Sequence, residues 1–346
     1  MAESPRVLIA GGYGVFGSLL VRELIATTTC RVLVAGRNLR GASRLCEQLQ
    51  AGDRCEALEL DLQDQESFRR AASGCLAVVC AAGPFQRLDR GLPRIAVEAG
   101  VHWLDISDDE AWVLPLLDDG GLDAAARRAG ALILSGLSTV PALSGVLARW
   151  CLKRAPQADR ARIVLWIGNR NSKGAAAIAS ALRSGFDDPV SVRLPTGRCR
   201  AYHFRSPDET LFRRELGMQA RLRVAFEWRL SNWLVARLQR ISSPERLSSW
   251  LGRLSRPFSH FGSDTGCLQT ELFDPNGRTL VVASFSAKGQ RLAVLPAVLA
   301  LEALLSGELR ARGCVSPATW LPPEQWIRRL TARGIQFASR QPRADS

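Results

Sequence analysis

Tyrosine occurs only twice in this chain, at Tyr13 and Tyr202, and lysine only at Lys153, Lys173 and Lys288. Neither tyrosine stands four residues before a lysine, which excludes the Tyr-x-x-x-Lys arrangement that protonates a carbonyl oxygen in short-chain dehydrogenases. Histidine is nearly as scarce, at His102, His203 and His260, and the nine cysteines show no C-x-x-C spacing, so no metal site is expected. There is no G-x-S-x-G elbow and no Walker loop, so acyl transfer by serine and P-loop chemistry are not supported. No apolar run reaches the roughly 18 to 20 residues that span a bilayer. The nearest, Leu292 to Leu305, is interrupted by Pro296 and Glu302. Met1 to Arg6 lacks the basic and apolar regions of a leader. A cytoplasmic protein is therefore expected, and the odd, scattered cysteines suit thiols in a reducing compartment.

What the chain has in excess is arginine: Lys and Arg total 46 against 33 Asp and Glu, a formal net charge of +13. Charge speaks to association and solubility, not to fold. No recognition motif or aromatic-interleaved platform accompanies it, so no nucleic-acid partner is expected. At 346 residues the chain exceeds the roughly 250 that one core organises, and two domains follow.

From Arg6 to Ser135 short β-rich runs alternate with helical stretches, the pattern of a parallel α/β sheet. Strands are predicted at 7–10, 31–35, 57–61, 77–81, 101–106 and 131–135. Gly100 and Gly130 fall where a helix ends in positive φ just before a strand. The first strand feeds directly into Gly11-Gly12-Tyr13-Gly14-Val15-Phe16-Gly17 and then a helix, which is G-x-G-x-x-G in the context it requires. Gly12 serves the tight turn, Gly14 lets backbone approach a pyrophosphate, and Gly17 lets the helix pack on the strand. The helix N-terminus, with Val15 and Phe16, then presents free N–H groups to the phosphates.

Dinucleotide sites specific for NAD carry an acid at the end of the second strand to hold the ribose hydroxyls. Here that place reads Ala35-Gly36-Arg37-Asn38. Arg37, with Arg40 or Arg44, instead suits a 2′-phosphate, so NADP(H) is the expected cofactor. Other strand ends complete the crevice. Asp61 either accepts from the adenine amino group or caps a helix, and Ala82, Gly83 and Pro84 border the nicotinamide ribose.

The glycine turn, Ala35-Gly36-Arg37-Asn38, Ala82-Gly83-Pro84-Phe85 and Trp103-Leu104-Asp105-Ile106-Ser107 together resemble the saccharopine dehydrogenase-like oxidoreductases. The resemblance implies an α/β fold: a Rossmann doubly wound parallel sheet with a second α+β domain. It divides the chain into a Rossmann domain over 1–140, an α+β substrate or dimerisation domain over 141–290, and C-terminal helices over 291–340 returning to the first domain. It implies hydride transfer to or from a carbonyl, imine or lipid-type substrate; the alternative is a sensor or scaffold that binds NADP(H) without turnover. Candidates for the proton-handling group are Asp105, Lys173, Tyr202 and His203. Asp105 stands at the correct strand end, followed by Asp108, Asp109 and Glu110, which also suit a helix cap. Lys173 lies in the polar loop 169–174, which otherwise reads as an ordinary exposed loop.

In the second domain, strands are predicted at 162–167, 199–204, 267–273 and 279–286, the last two as a hairpin around Asp274-Pro275-Asn276-Gly277. Pro141 is expected to open a helix to about Arg154. Residues 217–254 read as helical and Arg-rich. Within 221–256, Trp228, Trp233 and Trp250 interleave with arginines, so this segment either lies on an anionic membrane or packs on the second domain or a partner in a homodimer. Residues 341–346 read as a disordered tail.

Overall fold

The computed structural model describes residues 4–171, 187–228 and 262–341. The chain forms two compact units, one from Met1–Ser138 with Ala293–Trp320 and one from Thr139–Leu292 with Leu321–Ser346.

In the first unit, β1 (Arg6–Ala10), β2 (Arg31–Gly36), β3 (Cys55–Glu59), β4 (Ala77–Cys80), β5 (His102–Asp105) and β6 (Leu132–Leu134) pair in parallel in the order 6-5-4-1-2-3. This is the Rossmann order, and Gly313–Cys314 adds a short parallel strand beyond β6. The connecting helices are α1 (Val15–Thr27), α2 (Leu39–Leu49), α3 (Gln65–Ala72), α4 (Leu92–Glu98), α5 (Glu110–Asp118) and α6 (Gly120–Arg128). Because strand side chains alternate, β1 feeds two cores. Val7 and Ile9 pack with Leu20, Val21 and Leu24 of α1 and with the returning helix Leu295–Leu305. Leu8 and Ala10 pack with Phe68 of α3, Leu92 of α4 and Trp112 of α5. Covering both faces explains why the strands read as continuous apolar runs. Gly100 and Gly130 adopt φ of 72° and 65°, as their positions require.

The second unit is a mixed seven-stranded sheet. Its strands are β7 (Arg160–Ile167), β8 (Asp187–Leu194), β9 (Gly197–His203), β10 (Gln219–Phe226), β11 (Thr265–Phe273) and β12 (Thr279–Lys288), with Gln336–Arg340 on the edge beside β12. Only β7 and β10 run parallel; the other pairs are antiparallel, and β11–β12 is the expected hairpin with Gly277 at φ 85°. Helices α7 (Ser144–Leu152), α8 (Asp208–Leu216) and Pro323–Thr331 cover one face. The architecture is the expected Rossmann sheet with a second α+β domain.

Three details differ from the sequence reading. Residues 219–226, within the stretch read as helical, form β10: Ala220, Leu222 and Val224 alternate inward with exposed Gln219 and Arg221, a period of two that the surrounding arginines obscure. This removes the first residues of the segment proposed to meet a membrane, and its remainder from 229 lies outside the described residues. The C-terminal segment divides: residues 293–320 join the first unit, whereas Pro323–Thr331 packs on α7 and Gln336–Arg340 pairs with β12 in the second. Pro141 sits inside an irregular turn over Thr139–Leu143, with a cis Val140–Pro141 bond, and the regular helix begins at Ser144. Lys173, His260 and the tail from 342 lie outside the described residues. Among the described residues, no helix is long and apolar enough to cross a membrane.

Candidate functional site

The carboxyl ends of β1 and β4 meet at the point where strand order reverses, the usual ligand crevice of such sheets. There the glycines divide their duties by burial. Gly11 takes φ 75° and donates to Ala35 O at 2.8 Å, turning the chain off β1. A Cβ on it would stand 2.7 Å from Ala82 Cα, so the turn and the segment after β4 touch here. Gly12 and Gly17 are buried, and a Cβ on Gly17 would lie 2.1 Å from Gly11 O. Gly14, Val15 and Phe16 are half-buried. A Cβ on Gly14 would meet only Gly11 O, at 3.1 Å, so its face is otherwise open. Helix α1 starts with no side-chain cap and no acid in its first turn. Its first N–H groups therefore present a positive dipole end that no carboxylate of its own first turn neutralises.

Tyr13 reaches across the end of β2. Its hydroxyl accepts from Asn38 N–H at 3.0 Å, and a Cβ on Gly36 would come within 2.5 Å of the ring. Gly36 must therefore be glycine for Tyr13 to lie there, a requirement that only the fold reveals. Asn38 caps α2, its Oδ1 accepting from Gly41 N–H at 3.1 Å, so the backbone N–H and Oδ1 of this expected cofactor residue are both engaged. Arg37 and Arg40 are exposed at this strand end, and among the described residues neither they nor Arg44 form an ion pair. Asp61 is exposed and folds its Oδ1 onto Gln63 N–H at 3.0 Å, while Asp64 is the acid that caps α3. After β4, Ala82 and Gly83 lead into a cis Gly83–Pro84 bond.

Asp105 ends β5, as expected, but it is fully buried. One carboxylate oxygen accepts from Trp103 Nε1 and Trp112 Nε1, the other from Ser107 N–H and Gly136 N–H, all at 3.0 Å. Burial pushes this carboxyl above its ordinary value, and the four donors oppose that shift. With its lone pairs occupied, Asp105 cannot receive a substrate, which corrects its reading as a proton-handling group. It ties β5, the segment after β6 and α5 together. The residue with a free titration lies three positions on: Asp108, half-buried, is pushed up to about 6 by burial and then by the neighbouring Asp109. The run of acids after β5 was its only signal in the sequence. His102 is structural, its Nδ1 accepting from Leu132 N–H at 3.0 Å, and burial lowers it to about 4.

Tyr202 and His203 belong to β9 in the second unit, on opposite faces of that strand. His203 Nε2 lies 2.8 Å from Glu209 Oε1 and its Nδ1 3.7 Å from Asp187 Oδ1. A further buried acid there escaped the sequence reading: Asp208, bonded to Ser144 and to Ser206 at 2.9 Å, is pushed up to about 6 by burial. Among the described residues no group of three or more His, Cys, Asp or Glu side chains is arranged to hold a metal ion.

Residues 7–134 match the family described as the saccharopine dehydrogenase NADP binding domain. Comparison with curated proteins gives no match. Among solved structures, apo saccharopine dehydrogenase (L-Glu forming) from Saccharomyces cerevisiae aligns over 98% of this chain and 100% of its own, at 12% identity and a TM-score of 0.66. That likeness extends to the fold. GenD2 from gentamicin A biosynthesis, in complex with NAD, aligns over 99% of this chain and 98% of its own at 13% identity and a TM-score of 0.47. Serine dehydrogenase from Escherichia coli covers 38% of this chain and 80% of its own at 15% identity and a TM-score of 0.29.

Proposed function

We propose that this chain, whose residues 7–134 belong to the saccharopine dehydrogenase NADP binding domain family, is an NADP(H)-dependent oxidoreductase acting on a carbonyl, imine or lipid-type substrate. The observation that carries the choice of NADP(H) is the end of β2 and start of α2, where among the described residues Arg37, Arg40 and Arg44 have no acidic partner and no acid takes the place that would hold a ribose hydroxyl. When bound, the cofactor supplies or accepts the hydride. The Gly11–Gly17 turn and the uncapped start of α1 hold the pyrophosphate, with the open face of Gly14 in its path. Arg37 would take the 2′-phosphate, Asp61 would serve the adenine side, and Ala82 and Gly83 would border the nicotinamide ribose.

Arg37→Asp should weaken NADPH binding by on the order of a hundredfold while changing NADH little, because it removes charge-assisted bonds and adds repulsion. Fluorescence titration checks this. Equal losses for both nucleotides would overturn the 2′-phosphate assignment.

Asp108 supplies the proton that carbonyl or imine reduction consumes. Raised to about 6, its carboxyl is protonated below that pH and ionised above it. Reduction should therefore decline as pH rises through about 6, and the reverse oxidation should increase. Asp208 titrates in the same region, so the decisive comparison is Asp108→Asn, which should lose this pH dependence and most of the turnover. A variant with the wild-type profile would move the role elsewhere. NADPH binding without oxidation by any carbonyl or imine would favour the sensor.

A further inference from the structure

In the second unit, the face of the sheet away from α7 is concave. Gln269 on β11 donates through Nε2 to the carbonyl oxygen of Arg193 on β8 at 2.9 Å, although β7, β10 and β9 lie between these strands in the sheet. The sheet curls so that its far edge closes over its middle. Val164, Trp166, Val192, Leu194 and Ala201 fill the curl.

Beside this filling is a cavity of about 280 Å³ lined by Arg162, Arg193, Arg198, Arg340, Glu271 and Thr279. Among the described residues Glu271 is its single acid, and it is already committed. It is buried, its Oε2 accepts from Arg162 Nε at 2.7 Å and from Arg162 Nη2, and its Oε1 accepts from Gln269 Nε2 at 2.7 Å. Arg193, Arg198 and Arg340 form no side-chain hydrogen bond or ion pair among the described residues. Some other arginines of the unit are matched, as Arg223 is to Asp188 at 2.7 Å and Arg149 to Glu215. Three unmatched guanidiniums around one hollow repel one another within a Debye length of about 8 Å, and an anion in the hollow reverses the sign of that interaction.

An adjoining cavity of about 530 Å³ shares Arg193 and Arg340 and adds Leu194, Val282, Gln269 and Ser284. It offers apolar surface and a few polar groups next to the cationic end. Three free guanidiniums, each a fork of donors, exceed what one carboxylate can accept and suit the three terminal oxygens and double charge of a phosphate monoester.

We propose that the hollow between Arg162, Arg193, Arg198 and Arg340 binds a phosphate monoester, with the organic body of the ligand in the adjoining cavity. The phosphate comes either from a soluble metabolite or from a lipid headgroup, and the site stands independently of the cofactor assignment in the first unit.

The test measures binding of glycerol 3-phosphate, a phosphate monoester, by calorimetry, and of vesicles of phosphatidylcholine with and without phosphatidic acid by co-sedimentation. The proteins compared are the full-length wild type, Arg198→Ala/Arg340→Ala and Arg37→Asp. Both arginines of the double variant are exposed and unpaired, so the curl should survive, and an unchanged melting temperature checks that it does. Glycerol 3-phosphate binding should weaken by about tenfold for each guanidinium removed and persist in Arg37→Asp. Binding to phosphatidic acid vesicles alone, lost in the double variant, would support the lipid source. Absence of binding to either probe, binding unchanged in the double variant, or binding lost only in Arg37→Asp would overturn the proposal.

Discussion

Gly17→Ala should cost the first unit on the order of 3–5 kcal/mol and abolish NADPH binding, although it adds a single methyl group. The added Cβ would lie 2.1 Å from Gly11 O and 2.8 Å from Gly12 Cα, both backbone atoms, so no side-chain rotamer relieves the clash. The helix must move off β1, which separates Leu20, Val21 and Leu24 from Val7 and Ile9 and displaces the N–H groups at the start of α1. Gly14→Ala provides the contrast. Its Cβ meets only Gly11 O at 3.1 Å, so the fold should survive with a loss of about 1 kcal/mol or less, while NADPH binding should fall by at least about tenfold as the methyl enters the pyrophosphate path. Calorimetric melting and nucleotide titration of both variants check this. A Gly17→Ala protein that melts like the wild type would show that β1 and α1 pack less closely than described. Unchanged NADPH affinity in Gly14→Ala would remove the pyrophosphate from the turn.

Asp105→Asn should be nearly as damaging, despite replacing one side chain with its closest isostere. All four N–H groups around Asp105 point at its oxygens. An amide nitrogen would face two of them, leaving buried donors opposed to a donor. Each unsatisfied buried donor costs about 1–3 kcal/mol, so a loss of about 2–6 kcal/mol is expected. The damage should also reach turnover, because Ser107 N–H and Gly136 N–H position the segments that follow β5 and β6, and Asp108 is the next residue. Urea denaturation measures the stability loss, and Trp103 and Trp112 report it through their fluorescence. Wild-type stability would show that the two indoles find other acceptors.

The glycine turn and the arginine beyond the second strand were legible in the sequence because both depend on neighbours along the chain. A buried apolar strand, a glycine-rich turn and a helix start lie within one short window, although the tight turn falls on Gly11, at φ 75°, and not on Gly12. Gly11 and Gly36 were not legible as site residues. Gly11 is constrained by Ala82, which follows a strand three later in the chain, and Gly36 by the ring of Tyr13. Asp105 was placed at the correct strand end and given the wrong task, because its partners Trp112 and Gly136 arrive from separate segments. The second sheet was less legible still. Strand β10 carries Arg221 on its exposed face and Arg223 buried against Asp188, and these arginines among further ones made a period of two look like one edge of a basic helix.

Local pattern thus determined the parallel sheet of the first unit, the glycine turn between β1 and α1 and the absence of an acid at the end of β2, since each rests on residues that fold against their immediate neighbours. Tertiary structure alone decided that Asp105 is an anchor, that residues beyond 320 join the second sheet, and that arginines 162, 193, 198 and 340 surround one hollow. Those outcomes depend on pairing between distant strands, and the curl of a sheet leaves no periodic signature in the segments it brings together.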